Sequence, residues 1–205
     1  IQELKKLIVN DPHDAQSYGM LAEVYQSMGE KEKALETYNI ILKIDPDNPY
    51  IHLSLADFYR ANGEKEKSVE ELKKAFLNKE LDIDTKISIL SSYYALINLH
   101  PELQEQALDM CKLLISSHPS EPHAHAVYGD FLNQDKKFAE AREEFVKAKQ
   151  LGSKEFMVYS QILFLDSQLQ LWDSLMSDSR ESMDIFPDQP IVYFFNGLAN
   201  SQKKK

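Results

Sequence analysis

The chain has 205 residues, 43% of them hydrophobic, and its 33 acidic residues outnumber 23 basic ones for a formal charge of -10. With a mean hydropathy of -0.44 and no apolar run near the roughly 20 residues that cross a bilayer, the sequence excludes a membrane-spanning helix. The acidic excess argues against a nucleic-acid backbone as partner, and the one cysteine, Cys111, excludes an intramolecular disulfide while leaving the redox compartment open.

In chain order, the first element is short. Leu4 and Leu7 precede Pro12 and read as the tail of a helix belonging to an earlier repeat. The chain starts at Ile1 with no signal-peptide pattern, and it is expected to be an excised fragment cut within repeats at both ends. From residue 15 a periodic pattern takes over. Gly29-Glu30-Lys31-Glu32-Lys33 returns 34 positions later as Gly63-Glu64-Lys65-Glu66-Lys67. The same shift carries Pro12 to Pro46, Leu21 to Leu55, Ala22 to Ala56 and Tyr25 to Tyr59. Such a period belongs to a helical-repeat array in which no repeat buries its apolar face alone.

Within the first repeat, Tyr18, Leu21, Ala22 and Tyr25 recur at the spacing of one helical face. Gly29 and Gly63 follow the first helix of their repeats, where a left-handed C-cap is wanted. Asp45-Pro46-Asp47 and His118-Pro119-Ser120 end second helices and can cap the next ones. The third repeat opens on Ile87, Leu90, Ser91 and Tyr94, and Asn98-Leu99-His100-Pro101 lengthens its internal turn, since Pro101 cannot continue a helix. Ala107, Cys111, Leu114 and Pro119 finish it. The fourth repeat is regular, with His125, Tyr128, Gly129, Leu132, Ala141, Phe145 and Ala148. The fifth is degenerate, carrying Leu163 and Leu175 where small residues are wanted, and Tyr193 with Gly197 begins a sixth.

These positions resemble the tetratricopeptide repeat (TPR) family: Tyr18, Leu21, Ala22 and Tyr25, then Ala34, Tyr38 and a closing Pro46, with Ile41 in place of the usual alanine. The resemblance implies an all-α, right-handed superhelical solenoid. It divides the chain into the tail 1–12, repeats 15–48, 49–82, 83–121, 122–155 and 156–189, and the first helix of a truncated repeat at 190–205. It also implies a groove lined by the first helix of each repeat. Carried onto this chain, the family's contact positions are Gln16, Glu23 and Gln26 in the first repeat and Tyr50, Asp57 and Arg60 in the second. They are His123, Asp130 and Asn133 in the fourth and Met157 and Phe164 in the fifth, with Ser88 and Ser92 expected in the irregular third. The Lys/Asn/Arg clamp by which some members hold a C-terminal carboxylate is absent, because Glu23, Asp57 and Asp130 stand where it needs Asn or a base. A partner with Lys or Arg beside apolar anchors is expected instead.

No chemistry-bearing motif stands out. His118, His123 and His125 crowd together, but residues two apart on a helix point about 200° apart, and no metal-ligand spacing occurs. Glu140, Glu143 and Glu144 alternate with Lys and Arg as a solvated helix face does. Cys111 falls at a core position, Trp172 at a turn that it is expected to pack against, and Lys203-Lys204-Lys205 reads as a solvated helix end. The sequence therefore predicts no enzymatic activity, no cofactor and no metal, and a protein or peptide as partner. The alternative is a regulatory or assembly region of a larger enzyme or sensor. Composition suggests a bacterial origin, in the periplasm or cell envelope or in the cytoplasm.

Overall fold

The structure, a computed structural model, describes residues 1–203; of the terminal lysine run, Lys204 and Lys205 lie outside the described residues. Lys203 ion-pairs with Asp173. Twelve α-helices and no strand occur among the described residues: α1 (Gln2–Asn10), α2 (Ala15–Ser27), α3 (Lys31–Ile44), α4 (Pro49–Ala61), α5 (Lys65–Leu77), α6 (Ile83–Ile97), α7 (Leu103–Ser117), α8 (Pro122–Gln134), α9 (Phe138–Gln150), α10 (Phe156–Gln168), α11 (Trp172–Ile185) and α12 (Pro190–Gln202). They make an all-α helical-repeat solenoid that falls into two compact units, Ile1–Asp82 and the chain from Ile83 onward.

In the N-terminal unit, α2 pairs with α3 and α4 with α5. The core is the face read from the sequence: Leu21, Ala22 and Tyr25 of α2 and Ala34, Tyr38 and Ile41 of α3, continued by Ile51, Leu55 and Phe58 of α4. Tyr38 meets Phe58 edge to face at 6.1 Å, which joins one repeat to the next. Ala22 and Ala34 are fully buried, and side chains this small let the paired helices approach. Ser68, at the matching place in α5, donates its hydroxyl to the Ala56 carbonyl at 2.7 Å and so satisfies its own polar atom at a helix contact.

The helix ends follow local chemistry. Asp14 caps α2, accepting from the Gln16 N–H at 3.0 Å, and the Ser17 hydroxyl beside it holds the Asp14 carboxyl below its usual range. Asn48 caps α4 through the Tyr50 and Ile51 N–H groups. The cap thus lies just past the Asp45-Pro46-Asp47 segment expected to supply it, and the cap position of α8 is Glu121, just past His118-Pro119-Ser120. In both places the turn runs one residue further before the helix starts, with Pro49 and Pro122 at the first helical position, where the lost N–H has no helical partner anyway. Gly29 and Gly63 adopt φ of +76° and +79°, as a left-handed C-cap requires. The same place in later repeats is held by Lys136 at φ 60° and Gln170 at φ 57°, both strained for an L side chain.

Two histidines tie repeats together. His52 Nδ1 lies 2.6 Å from the Glu71 carboxylate and its Nε2 lies 3.2 Å from the Pro46 carbonyl. His125 makes the same pair of contacts with Glu144 at 2.7 Å and the Pro119 carbonyl at 3.3 Å. Each imidazole thereby joins a first helix to its own second helix and to the preceding turn.

In the C-terminal unit, the turn after α6 spans residues 98–102 and contains Pro101, as the sequence requires. The register of α6 differs from the expected one by a residue. Its buried face carries Lys86, Leu90 and Ile97, while Ser91 is exposed and Tyr94 is 42% exposed. Lys86 keeps the 34-residue spacing from His52, but a lysine at a core position disguises the apolar face. Its ammonium is fully buried, 2.9 Å from both the Ser117 hydroxyl and His118 Nε2. Further along, Leu163 of α10 and Leu175 of α11 form a core with Val192, Phe195 and Ala199 of α12, against which Trp172 packs.

Candidate functional site

Because the apolar face of each first helix is committed to its partner helices, the remaining polar face lines clefts. In the N-terminal unit, Glu23, Gln26 and Ser27 of α2, Tyr38 of α3, and Ser54 and Asp57 of α4 surround one cleft of about 340 Å³. Tyr38 is buried, and its hydroxyl donates to Gln26 Oε1 at 3.3 Å. Burial, then the charges of Glu23 and Asp57, push the Tyr38 hydroxyl up to about 12. Asp57 pairs with Arg60 at 2.7 Å, both side chains being mostly exposed. Gln16 and Tyr50 sit in the first turns of α2 and α4, exposed and outside the lining of this cleft.

The C-terminal unit has two adjoining clefts. His123, Ala126, Val127 and Asp130 of α8 face Glu155, Met157, Val158 and Gln161 of α10, with the Phe145 ring behind them. Gln161 also lines the next cleft, with Asn133 on one side and Phe164, Ile191 and Phe195 on the other. The Asn133 amide donates to Gln161 Oε1 at 3.4 Å across the two helices. Met157 is 62% exposed and Phe164 48%. Burial raises the Asp130 carboxyl to about 6, His123 pulling weakly the other way. Nearby, the Tyr94 hydroxyl is raised by burial and by Asp130, and the Cys111 thiol is raised strongly, by burial first and then by the charges of Asp130 and Glu144. Cys111 is fully buried.

The expected contact residues thus separate. Glu23, Gln26 and Asp57 come together in one unit, and His123, Asp130, Asn133, Met157 and Phe164 line adjoining clefts in the other. The corrected register of α6 gives the places of Asp57 and Arg60 in the third repeat to Ser91 and Tyr94, not to Ser88 and Ser92. Sequence reasoning also missed Glu155 and Gln161. Glu155 is the N-cap of α10, just ahead of the contact positions, and Gln161 follows Ser160, the position that the family's pattern places between Met157 and Phe164. Both lie near the predicted face, so widening each contact position by a residue would have found Gln161.

His118 is engaged with Lys86 and His125 with Glu144, while His123 is exposed. Among the described residues no group of three or more His, Cys, Asp or Glu is arranged to hold a metal ion, and no helix is long and apolar enough to cross a membrane.

Comparison with known proteins is consistent with this architecture. The family model for the tetratricopeptide repeat matches residues 15–48 and 49–79. A search of curated proteins gives no match. Among solved structures, YrrB, described as a TPR protein with an unusual peptide-binding site, superposes with a TM-score of 0.51 at 18% identity, covering 98% of each chain. The TPR domain of P58(IPK) superposes with a TM-score of 0.50 at 17% identity, over 99% of this chain and 59% of that one. At such identities the likeness speaks for the fold. Residues 15–79 carry tetratricopeptide repeats, of a kind that serve as scaffolds for protein–protein interaction, and the chain as a whole has the helical-repeat fold of TPR proteins.

Proposed function

We propose that this protein holds a peptide or an extended segment of a partner protein against the first-helix face of its C-terminal unit, and that it carries out no chemistry of its own. The observation that carries the reading is the pair of adjoining clefts between α8, α10 and α12, where Met157, Phe164 and Ile191 expose apolar surface beside the polar groups of Asp130, Asn133 and Gln161. Exposed apolar side chains rimmed by convergent polar groups are what a segment-binding surface needs. The apolar anchors supply most of the affinity and the polar groups set the register. YrrB, which shares the fold, is described as having a peptide-binding site.

The N-terminal cleft, with Glu23 and Asp57, extends the same chemistry at weaker electrostatic strength, because Arg60 offsets Asp57 and exposed pairs contribute only about 0.2–1 kcal/mol. Neither cleft gathers the bases that an acidic C-terminal tail or a nucleic-acid backbone requires, so we read both as unsuited to those ligands. The test is selection of random peptides on the full chain followed by Phe164→Ser. Selected peptides should bind the variant about tenfold more weakly, since an exposed aromatic anchor is lost without disturbing the core. Unchanged affinity would remove this face from the account.

A further inference from the structure

We infer that the cleft between α8 and α10 receives a lysine or arginine side chain of the bound segment, with Asp130 as its counter-charge and the side chains of Val127, Met157 and Val158 around its aliphatic stem. The inference rests on the peptide-binding reading above and specifies which side chain the partner must bring.

Three carboxylates show why Asp130 is singled out. Asp57 is exposed and already answered by Arg60. Asp166 is fully buried, with one oxygen answered by Arg142 and the other shut away from any ligand. Asp130 is half-buried, lines a cleft with apolar walls, and accepts no hydrogen bond from any described residue. A carboxylate partly withdrawn from water and given no donor is unfavourable unless something else supplies one. The groups that face it do not. Glu155 at the start of α10 brings a like charge, and His123 on the same helix only weakly favours the ionised carboxyl. Tyr94 of α6 and Cys111 of α7, which feel its charge from behind, both hold their protons.

A guanidinium or ammonium group entering from the open side brings donors and charge together. Its methylene stem lies along Val127, Val158 and the flexible Met157, as long cationic side chains lie along apolar surface. A neutral apolar side chain would fit the walls but leave the carboxylate without a donor, which is the basis of selectivity. Burial has already raised Asp130 to about 6. A bound cation favours the ionised form, so binding of the cationic segment releases a proton as pH falls toward 5, and affinity weakens about tenfold between pH 7.5 and pH 5.

The experiment uses peptides selected from a random library on the full chain. Each binder is resynthesised with its lysines and arginines replaced in turn by norleucine, and each is measured against the unaltered protein and Asp130→Asn. One lysine or arginine per binder should cost about tenfold or more when replaced, and Asp130→Asn should cost as much with no further loss when both changes are combined. The carboxyl-carbon titration of Asp130 in the unaltered chain should move to lower pH with the cationic peptide and stay in place with its norleucine form, a readout independent of any variant's folding. Repeating the affinity series in His123→Gln removes that side chain from the cleft's edge, and the tenfold pH effect should persist. Binders weakened by Phe164→Ser but indifferent to Asp130→Asn and to norleucine would overturn this inference and leave the peptide-binding reading standing. Absence of any binder, or indifference to all three changes, would overturn both.

Discussion

In the C-terminal unit, α8 and α9 approach each other over a longer stretch than α10 and α11 do. The difference follows from two positions. In the first pair they hold Gly129 and Ala141, and the Phe145 ring lies so close to Gly129 that an added Cβ would come within 2.9 Å of it. In the second pair the same positions hold Leu163 and Leu175, both fully buried, and their bulk keeps the helix axes apart. The fifth repeat is joined instead by charge. Arg142 of α9 ion-pairs with Asp166 of α10 and reaches Asp178 of α11 at 3.5 Å. Lys149 of α9 meets Asp178 at 2.7 Å and Glu181 at 2.9 Å. Asp166 stands where Tyr25 and Tyr59 stand in the first two repeats. One repeat register is therefore closed in two ways, by close apolar approach and by a buried ion network.

The largest expected effect breaks the ionic side of this comparison. Arg142→Leu leaves Asp166 buried without its strongest partner and should cost about 3–5 kcal/mol in urea unfolding at pH 7.5. Burial already holds the Asp166 carboxyl up at about 6, against the pull of Arg142 and with the help of the Asp178 charge. Without Arg142 it should rise further, so the loss should shrink toward pH 4 as the carboxyl takes up a proton. The double change Arg142→Leu/Asp166→Leu should recover to within about 1 kcal/mol of the original. A double variant no better than the single would show that the network does more than replace apolar contact.

The apolar side breaks next. Gly129→Ala forces a methyl group against a ring that has little room to retreat, Phe145 being 2% exposed. It should cost about 1–3 kcal/mol, whereas Leu163→Ala in the looser pair should act by opening a cavity rather than by crowding. A Gly129→Ala variant as stable as the original would mean that the ring moves freely.

The comparison is sharpened by Asp130, whose burial is uncompensated. Burial raises its carboxyl from the usual carboxylate range to about 6 in the folded protein. The folded state therefore binds the extra proton, so this group's own contribution to stability is fullest below about pH 4 and is lost as pH rises through about 6. Asp130→Asn should accordingly stabilise the protein at pH 7.5 by about 1–2 kcal/mol once screening at the open side is allowed for, with the gain gone at pH 4. A gain that did not depend on pH would assign it to packing.

The smallest effect concerns the turn that both repeats share. Lys136 and Gln170 hold φ of 60° and 57° where the first two repeats place glycine. Lys136→Gly and Gln170→Gly should each add up to about 1 kcal/mol by relieving left-handed strain, seen as a higher thermal midpoint. A loss at either site would show that its side chain contributes more than its backbone costs.

The repeat architecture was legible because the 34-residue register is written in apolar and small residues whose roles are local. Ala22, Ala34, Gly29 and Gly63 each signal their place without reference to distant parts of the chain. What was not legible depends on partners far apart in sequence. Lys86 looks like a surface residue until Ser117 and His118 are brought to its ammonium, and misreading it displaced the register of α6 by one residue. Asp166 and Arg142 each break the apolar pattern, and their complementarity appears only when α9 meets α10. On the candidate site, the first-helix positions led to Asp130, Met157 and Phe164. Glu155 and Gln161 depend on how two helices meet, which periodicity alone does not record.

The central claim is that a partner segment lies along the first helices of the C-terminal unit. It is tested most directly by titrating the isotope-labelled full chain with a selected peptide and following backbone amide and methyl signals. The account predicts that the shifts concentrate at His123, Asp130, Asn133, Met157, Gln161 and Phe164, with the outward positions Glu143, Lys147 and Ser177 of the second helices unmoved. Shifts confined to those second-helix positions would contradict it.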